Sequence, residues 1–240
     1  MKIVVLVKRV TLPWPGFAMR ADGYGVESGS LEYGISESDA ACVHEALTIR
    51  DRLGGEVVVM TAADSSADPV LSWCLDAGVD RAVRIESPAF EVPEPLMTAR
   101  GLTPAVAAEK SDLVLCGAQS PDDRFAATGV ALAHHLKVPW VAFASSVSAG
   151  DGHVTVDRLL DGGDTEKVEL RLPALITLDR GLSTMLVSRT EQSDGRISVA
   201  PLETYGINEA FVDLFAGGTL RQIVPGSPVD NRATSRERNA

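Results

Sequence analysis

The residues with chemical potential crowd into one stretch, Ser111 to Val130, SDLVLCGAQSPDDRFAATGV. Asp122 and Asp123 are adjacent carboxylates that can hold a metal ion or cap a helix. Their place just ahead of a helical pattern favours the cap. Ala126, Ala127, Thr128 and Gly129 are small enough for a phosphate to approach the backbone closely. A helix starting there offers free N–H groups and the positive end of its macrodipole. This describes a phosphate held mainly by backbone donors, with no nucleophile or base beside it: nucleotide binding without chemistry on the nucleotide. The same stretch also reads as an ordinary βα connection with an Asp cap. His134 and His135 are adjacent, so they point to different sides of a helix and make no natural metal pair. The chain has no GxSxG elbow, CxxC, HExxH or G-x-x-x-x-G-K-[ST]. Gly23-Tyr24-Gly25 lacks the third Gly of a dinucleotide fingerprint.

The elements that must position this stretch alternate. Leu113-Val114-Leu115-Cys116 has the length and composition of a buried parallel strand, and a helix follows from about Phe125, with Val130, Leu132, Ala133 and Leu136 on one face. Upstream, Ile3 to Val7, Glu56 to Thr61 and Asp80 to Ile85 are strands. Lys8-Arg9-Val10 follow the first, where a charged pair can face a ligand or a partner. Thr11 to Ser30, rich in Gly and Pro, reads as a long loop with room for a small hairpin. Ser36 or Ser38 caps a helix over Asp39 to Leu53, which Gly54-Gly55 stop. Ser65 or Ser66 starts another, with Pro69 in its first turn. A further helix from Pro93 and Pro95 to Lys110 is interrupted by Gly101 and Pro104, which predicts a kink or two short helices. This β-α alternation implies a parallel sheet covered on both faces, with its loops at the carboxyl edge, where ligands bind. After Lys137 the pattern changes. Trp140 to Val147 is a strand, His153 to Leu160 and Thr165 to Leu172 form a hairpin, and Ala174 to Leu178 is a further buried strand. Beyond Arg180 periodicity fades, apart from a possible helix near Asn208 to Phe215, and the tail from Gly226 is polar enough for disorder.

Composition sets bounds. Hydrophobic residues make up 45% of 240, enough for a sizeable core. A net charge of −11 argues against nucleic acid or an anionic membrane as partner. The three cysteines, Cys42, Cys74 and Cys116, have no metal-like spacing and read as reduced core residues of a cytoplasmic protein. No apolar stretch reaches the ~18 residues of a membrane span, and the basic pair follows the first apolar run rather than preceding it, so no signal peptide is expected.

Six ordered segments carry a family resemblance. Val7-Lys8-Arg9-Val10 matches a VKRV near the N-terminus. Asp39 with Glu45-Ala46-Leu47 matches the end of an NPFDExAxEEAL segment. Leu75 to Ala82 resembles LAMGADRA, and Asp112 to Gly129 resembles DLVLLGKQAIDDDxNQTG. Phe143-Ala144-Ser145 matches FAS, and Asp161-Gly162-Gly163 with Val168 to Leu170 and Leu172 to Ala174 resembles VDGG…ELxLPAVxT. Together, over about residues 1 to 180, they resemble the β subunit of the electron transfer flavoproteins, in a divergent form.

The resemblance implies a Rossmann-like α/β domain, residues 1–180, built on a parallel sheet that binds an adenine nucleotide. It implies an added β-hairpin and an extended C-terminal segment, residues 181–240, that contacts a partner. The partner is an α subunit carrying FAD, and the heterodimer takes electrons from a flavin dehydrogenase to a quinone-reducing or similar acceptor. The chain itself would be an electron-carrier subunit rather than an enzyme, holding AMP or a second FAD and no metal. Carried over by position, the nucleotide site comprises Leu6, Ser36, Glu37, Ser38, Asp39 and Ala62. It continues through Gly117, Ala118, Gln119, Ser120, Pro121, Asp122, Asp123, Arg124, Phe125, Ala126, Ala127 and Thr128.

Departures from the pattern bear on this. The family's NPF is Ser36-Glu37-Ser38, its Lys after Gly117 is Ala118, its third Asp is Arg124, and its Asn-Gln is Ala126-Ala127. Two amide donors are gone and one cation is added, while backbone donors survive a side-chain change. The family's partner segment LNEPRYxxLPNIMKAKKK is not recognisable in Leu182 to Arg196, which predicts a donor other than an acyl-CoA dehydrogenase. The alternative from another class is a stand-alone adenine-nucleotide-binding regulator resembling the universal stress proteins; the hairpin and VKRV favour the first.

Overall fold

Strand order is fixed by which apolar runs can be buried on both faces, and here they converge at one edge-to-edge sheet. The computed structural model describes residues 1–11, 18–23, 26–27, 31–87, 94–150, 152–160, 162–180, 184–186 and 196–205, all within one unit spanning Met1–Ile207. The elements in chain order are β1 (Lys2–Leu6), β2 (Arg9–Thr11), β3 (Tyr33–Ser36), α1 (Glu37–Leu53), β4 (Glu56–Ala62), α2 (Asp68–Asp76), β5 (Arg81–Glu86) and α3 (Pro95–Glu109). They continue as β6 (Leu113–Gly117), α4 (Thr128–Leu136), β7 (Trp140–Gly150), β8 (His153–Leu159), β9 (Thr165–Arg171), β10 (Ala174–Leu178), β11 (Thr184–Leu186) and β12 (Ile197–Pro201).

The nine-stranded sheet has the order β12-β5-β4-β1-β6-β10-β7-β8-β9. Pairings from β12 through β7 are parallel, and β7-β8-β9 are antiparallel. The fold is therefore α/β with a mostly parallel, Rossmann-like sheet that the expected hairpin extends. α1 packs on β1, β4 and β6 and α2 on β5, while α3 packs on β4 and α4, and α4 on β10 and β7. Right-handed crossovers place α1 and α2 on one face and α3 and α4 on the other. Alternation in the central strands serves both faces. Ile3, Val5, Val57, Val59, Leu113 and Leu115 join Val43, Ala46, Leu71 and Cys74 in the α1/α2 core. Val4, Leu6, Val58, Met60 and Val114 are buried on the pleat's other side.

Local signals fix the ends. The Ser36 hydroxyl accepts from Asp39 N at 3.0 Å and caps α1, which starts two residues before the expected Asp39. Gly54, at φ 72°, closes it. A 3-10 turn, Ser65–Ala67, capped by Asp64, precedes α2.

The structure corrects four expectations. α3 runs unbroken through Pro104 and Gly101. Burial of Met97, Ala99, Leu102, Ala105 and Val106 outweighs the single helix hydrogen bond that proline forfeits. α4 begins at Thr128, three residues after the expected start, and its N-cap, Ala127, makes no side-chain cap bond. Asp122 and Asp123 therefore do not cap it. Finally, short strands went unread: β2, β3 and β11 form a second, three-stranded sheet, and β12 adds a parallel edge beside β5. Met19 and Val26 form an antiparallel bridge in the long loop. The helix expected near Asn208, the polar tail and most of the 182–196 segment lie outside the described residues.

Candidate functional site

A doubly wound sheet opens a crevice where adjacent strands send their connections to opposite faces. That point lies between the carboxyl ends of β1 and β6, and a cavity of about 590 Å³ occupies it. Asp39, in the first turn of α1, stitches the two strand ends together. Its Oδ2 accepts from Lys8 N at 3.0 Å and its Oδ1 from Gly117 N at 2.9 Å. Gly117 is required here, because a Cβ would stand 2.5 Å from Asp39 Oδ1. Burial pushes the Asp39 carboxyl up to about 6, against the pull of the two N–H groups and the Lys8 charge.

The loop from β6 to α4 is organised by Lys8. Its Nζ lies 2.7 Å from Asp122 Oδ1, 2.7 Å from Asp123 Oδ2 and 3.1 Å from Ser120 Oγ. Asp123 Oδ1 accepts from Ser120 Oγ at 2.7 Å and from Phe125 N at 3.1 Å. Partial burial pushes the Asp123 carboxyl up, but Lys8, Ser120 and the Phe125 N–H outweigh it and hold it below the usual range. Arg124 and Ala126 adopt left-handed backbone, φ 56° and 53°, which bends the chain into the uncapped start of α4. There Gly129 lies so close to the sheet that a Cβ would meet Cys116 Sγ and Thr177 Cγ2, each at 2.7 Å.

The opposite end of the cavity is made by the ends of β4 and β5. Asp64 accepts from Ser66 N at 2.9 Å. The Ser66 hydroxyl is the main reason its carboxyl sits below the usual range, with Arg9 and Arg84 helping. The Arg9 guanidinium lies 4.0 Å over the Tyr33 ring and donates to Ser66 Oγ. Buried Arg84 places Nε 2.7 Å from Asp68 Oδ1, as an ion pair rather than an aligned hydrogen bond, and also contacts Glu86 at the cavity wall.

The cavity brings together most of the residues expected from sequence. Leu6, Asp39 and Ala62 line it, as do the runs from Gly117 to Ser120 and from Phe125 to Thr128, with Asp122 and Asp123. Ser36, Glu37, Ser38, Pro121 and Arg124 are not among the lining residues. Ser36 is occupied in capping α1, and the Ser38 hydroxyl accepts from Arg180 N at 3.0 Å. Glu37 and Arg124 are exposed. The list from sequence lacked Lys8, Arg9, Asp64, Glu86, Thr98 and Leu102. The first two already stood at the carboxyl end of a strand, and the same rule applied to β4 and β5 would have reached Asp64 and Glu86.

Chemically, the site offers an uncapped helix start among small residues, an apolar wall including Leu6, Ala62 and Leu102, and carboxylates each engaged by a donor or cation. These fit an adenine nucleotide: N–H groups for a phosphate, apolar surface for a base.

Residues 26–204 match the family model described as electron transfer flavoprotein domain. The chain is 33% identical over 187 residues to an electron transfer flavoprotein subunit beta of Methylophilus methylotrophus, covering 76% of this chain and 71% of the relative. It is 31% identical over 186 residues to the subunit beta of Homo sapiens, covering 76% and 72%. It is 37% identical over 186 residues to a subunit beta of Oryza sativa subsp. japonica named mitochondrial, covering 76% and 73%. With three quarters of its length matched and this sheet beneath the match, the chain belongs to the electron transfer flavoprotein family, among its β subunits.

Proposed function

We propose that this chain pairs with an FAD-bearing α subunit and holds an adenine nucleotide, AMP or the adenylate part of a second FAD, in the cavity between β1 and β6. The heterodimer then carries electrons from a flavin dehydrogenase to a quinone-reducing or similar acceptor. The observation that carries the reading is the meeting of the uncapped α4 start with small residues 126–129 in a cavity at the sheet's switch point. A flavin, when bound, supplies the redox chemistry. The chain's own residues hold and orient it: α4 donates to phosphate, and Leu6, Ala62 and Leu102 shelter the base. Residues 181–240 are proposed as the partner-binding segment and the cytoplasm as the compartment. The departures in 182–196 support a donor other than an acyl-CoA dehydrogenase. Among the described residues no helix is long and apolar enough to cross a membrane. The β-subunit relatives do not favour a stand-alone regulator.

The test is co-expression with an α subunit, purification, denaturation and chromatography of released nucleotides. FAD with AMP, or two FAD, supports the reading. FAD alone removes the nucleotide from this cavity, and no complex and no flavin overturns the assignment. Full-rate reduction by an acyl-CoA dehydrogenase would overturn the donor proposal alone.

A further inference from the structure

The cavity poses an electrostatic problem for its proposed ligand. Two carboxylates, Asp122 and Asp123, line the same cavity as the residues that start α4. A phosphate brought to those N–H groups would meet their charge in a partly desolvated space, where repulsion is stronger than in water. Lys8 answers this geometrically. It projects from the end of β1, across the switch point, and places one ammonium within 2.7 Å of a carboxylate oxygen of each aspartate. Its side chain is 34% exposed and those of Asp122 and Asp123 are 22% and 28% exposed, so the trio is partly sheltered from screening by water. Arg124, the cation this sequence adds to the loop, is exposed and not among the lining residues. It is a poor substitute for Lys8.

We infer that Lys8 is the positioning and specificity residue of this site: by offsetting one of the two negative charges of Asp122 and Asp123 at the cavity wall it lowers the repulsion a phosphate meets there and so favours phosphorylated over unphosphorylated ligands. The inference rests on the nucleotide reading above. It differs from a purely mechanical latch, in which Lys8 only braces the 120–125 loop, because the two roles respond differently to removal of the carboxylates.

The complex with its α subunit, freed of the nucleotide in this cavity, is titrated with AMP and with adenosine by calorimetry. Wild type should prefer AMP. Lys8→Met should lose AMP affinity by about 10- to 100-fold while adenosine affinity stays within a factor of about two. Lys8→Arg should recover much of the preference. Lys8→Met combined with Asp122→Asn and Asp123→Asn should restore AMP binding, since asparagine keeps the acceptor for Phe125 N while removing the charge. Should Lys8→Met fail to fold, Asp122→Asn with Asp123→Asn in the Lys8 background decides the matter: it should tighten AMP and leave adenosine unmoved. Equal loss of both ligands in Lys8→Met, failure of the triple variant to recover, or no gain in the double variant overturns the proposal and leaves the nucleotide reading standing. A wild-type chain that binds neither ligand overturns that reading itself.

Discussion

Asp39 is the residue on which the switch point closes, and its energetics have a definite sign. Its folded-state value of about 6 lies above its ordinary one. The folded chain thus binds a proton more tightly than the unfolded chain between about pH 4 and pH 6. Asp39's contribution is fully present below about pH 4 and is lost as pH rises through 6, a change of about 3 kcal/mol. We expect wild-type stability relative to Asp39→Asn, read by denaturant melts, to fall across that window as pH rises and to stay flat above it. The amide of Asp39→Asn, like the protonated carboxyl, offers one strong acceptor to Lys8 N and Gly117 N and does not titrate, so the variant's own stability should stay flat across the window. Ala126 presents the opposite case. An alanine at φ 53° is strained where the family pattern has an asparagine. Ala126→Gly is expected to stabilise the chain by about 0.5–1 kcal/mol in the same melts. Both residues were visible in the sequence as site members, but their reasons were not. Carboxylate bridging and left-handed backbone arise only when distant segments meet, as Lys8 does with Asp122 and Asp123.

The elements were legible where their pattern was strong and local. β1, β4, β5, β6 and β10 are short apolar runs with turn formers at their ends, and each was placed within two residues. α3 was misjudged because a propensity argument weighs Pro104 and Gly101 without the sheet and α4 packed against them. The start of α4 was misplaced because Asp122 and Asp123 look like caps, yet their carboxylates are taken by Lys8, from the connection between β1 and β2. β2, β3, β11 and β12 are three to five residues long. Each is defined by partners far along the chain, beyond the reach of periodicity. Two predictions belong to this scale. Gly129→Ala should push the first turn of α4 off β6 and β10, costing about 1–3 kcal/mol in a melt and weakening nucleotide retention. Arg84→Met, which strands buried Asp68 without its cation, should lose about 3–5 kcal/mol.

At the scale of the whole molecule, β12 covers the open side of β5, so residues beyond 180 contribute to the nine-stranded sheet itself. A chain ended after residue 180 should melt about 5–10 °C below one ended after residue 207, by circular dichroism. Apolar alternation fades after 180 in the sequence, but strand pairing does not need alternation on an exposed edge. The three buried cysteines carry a consequence of a different kind. Burial pushes all three thiols up, with Asp39's charge adding to it, so each is inert while covered. Cys42 and Cys74 sit in the α1/α2 core. Cys116 lies across the sheet, beneath Gly129 on the cavity floor. Alkylation kinetics therefore sort the molecule's breathing into two separate clocks, one ticking with the lifting of a single helical turn and the other with the opening of an entire face.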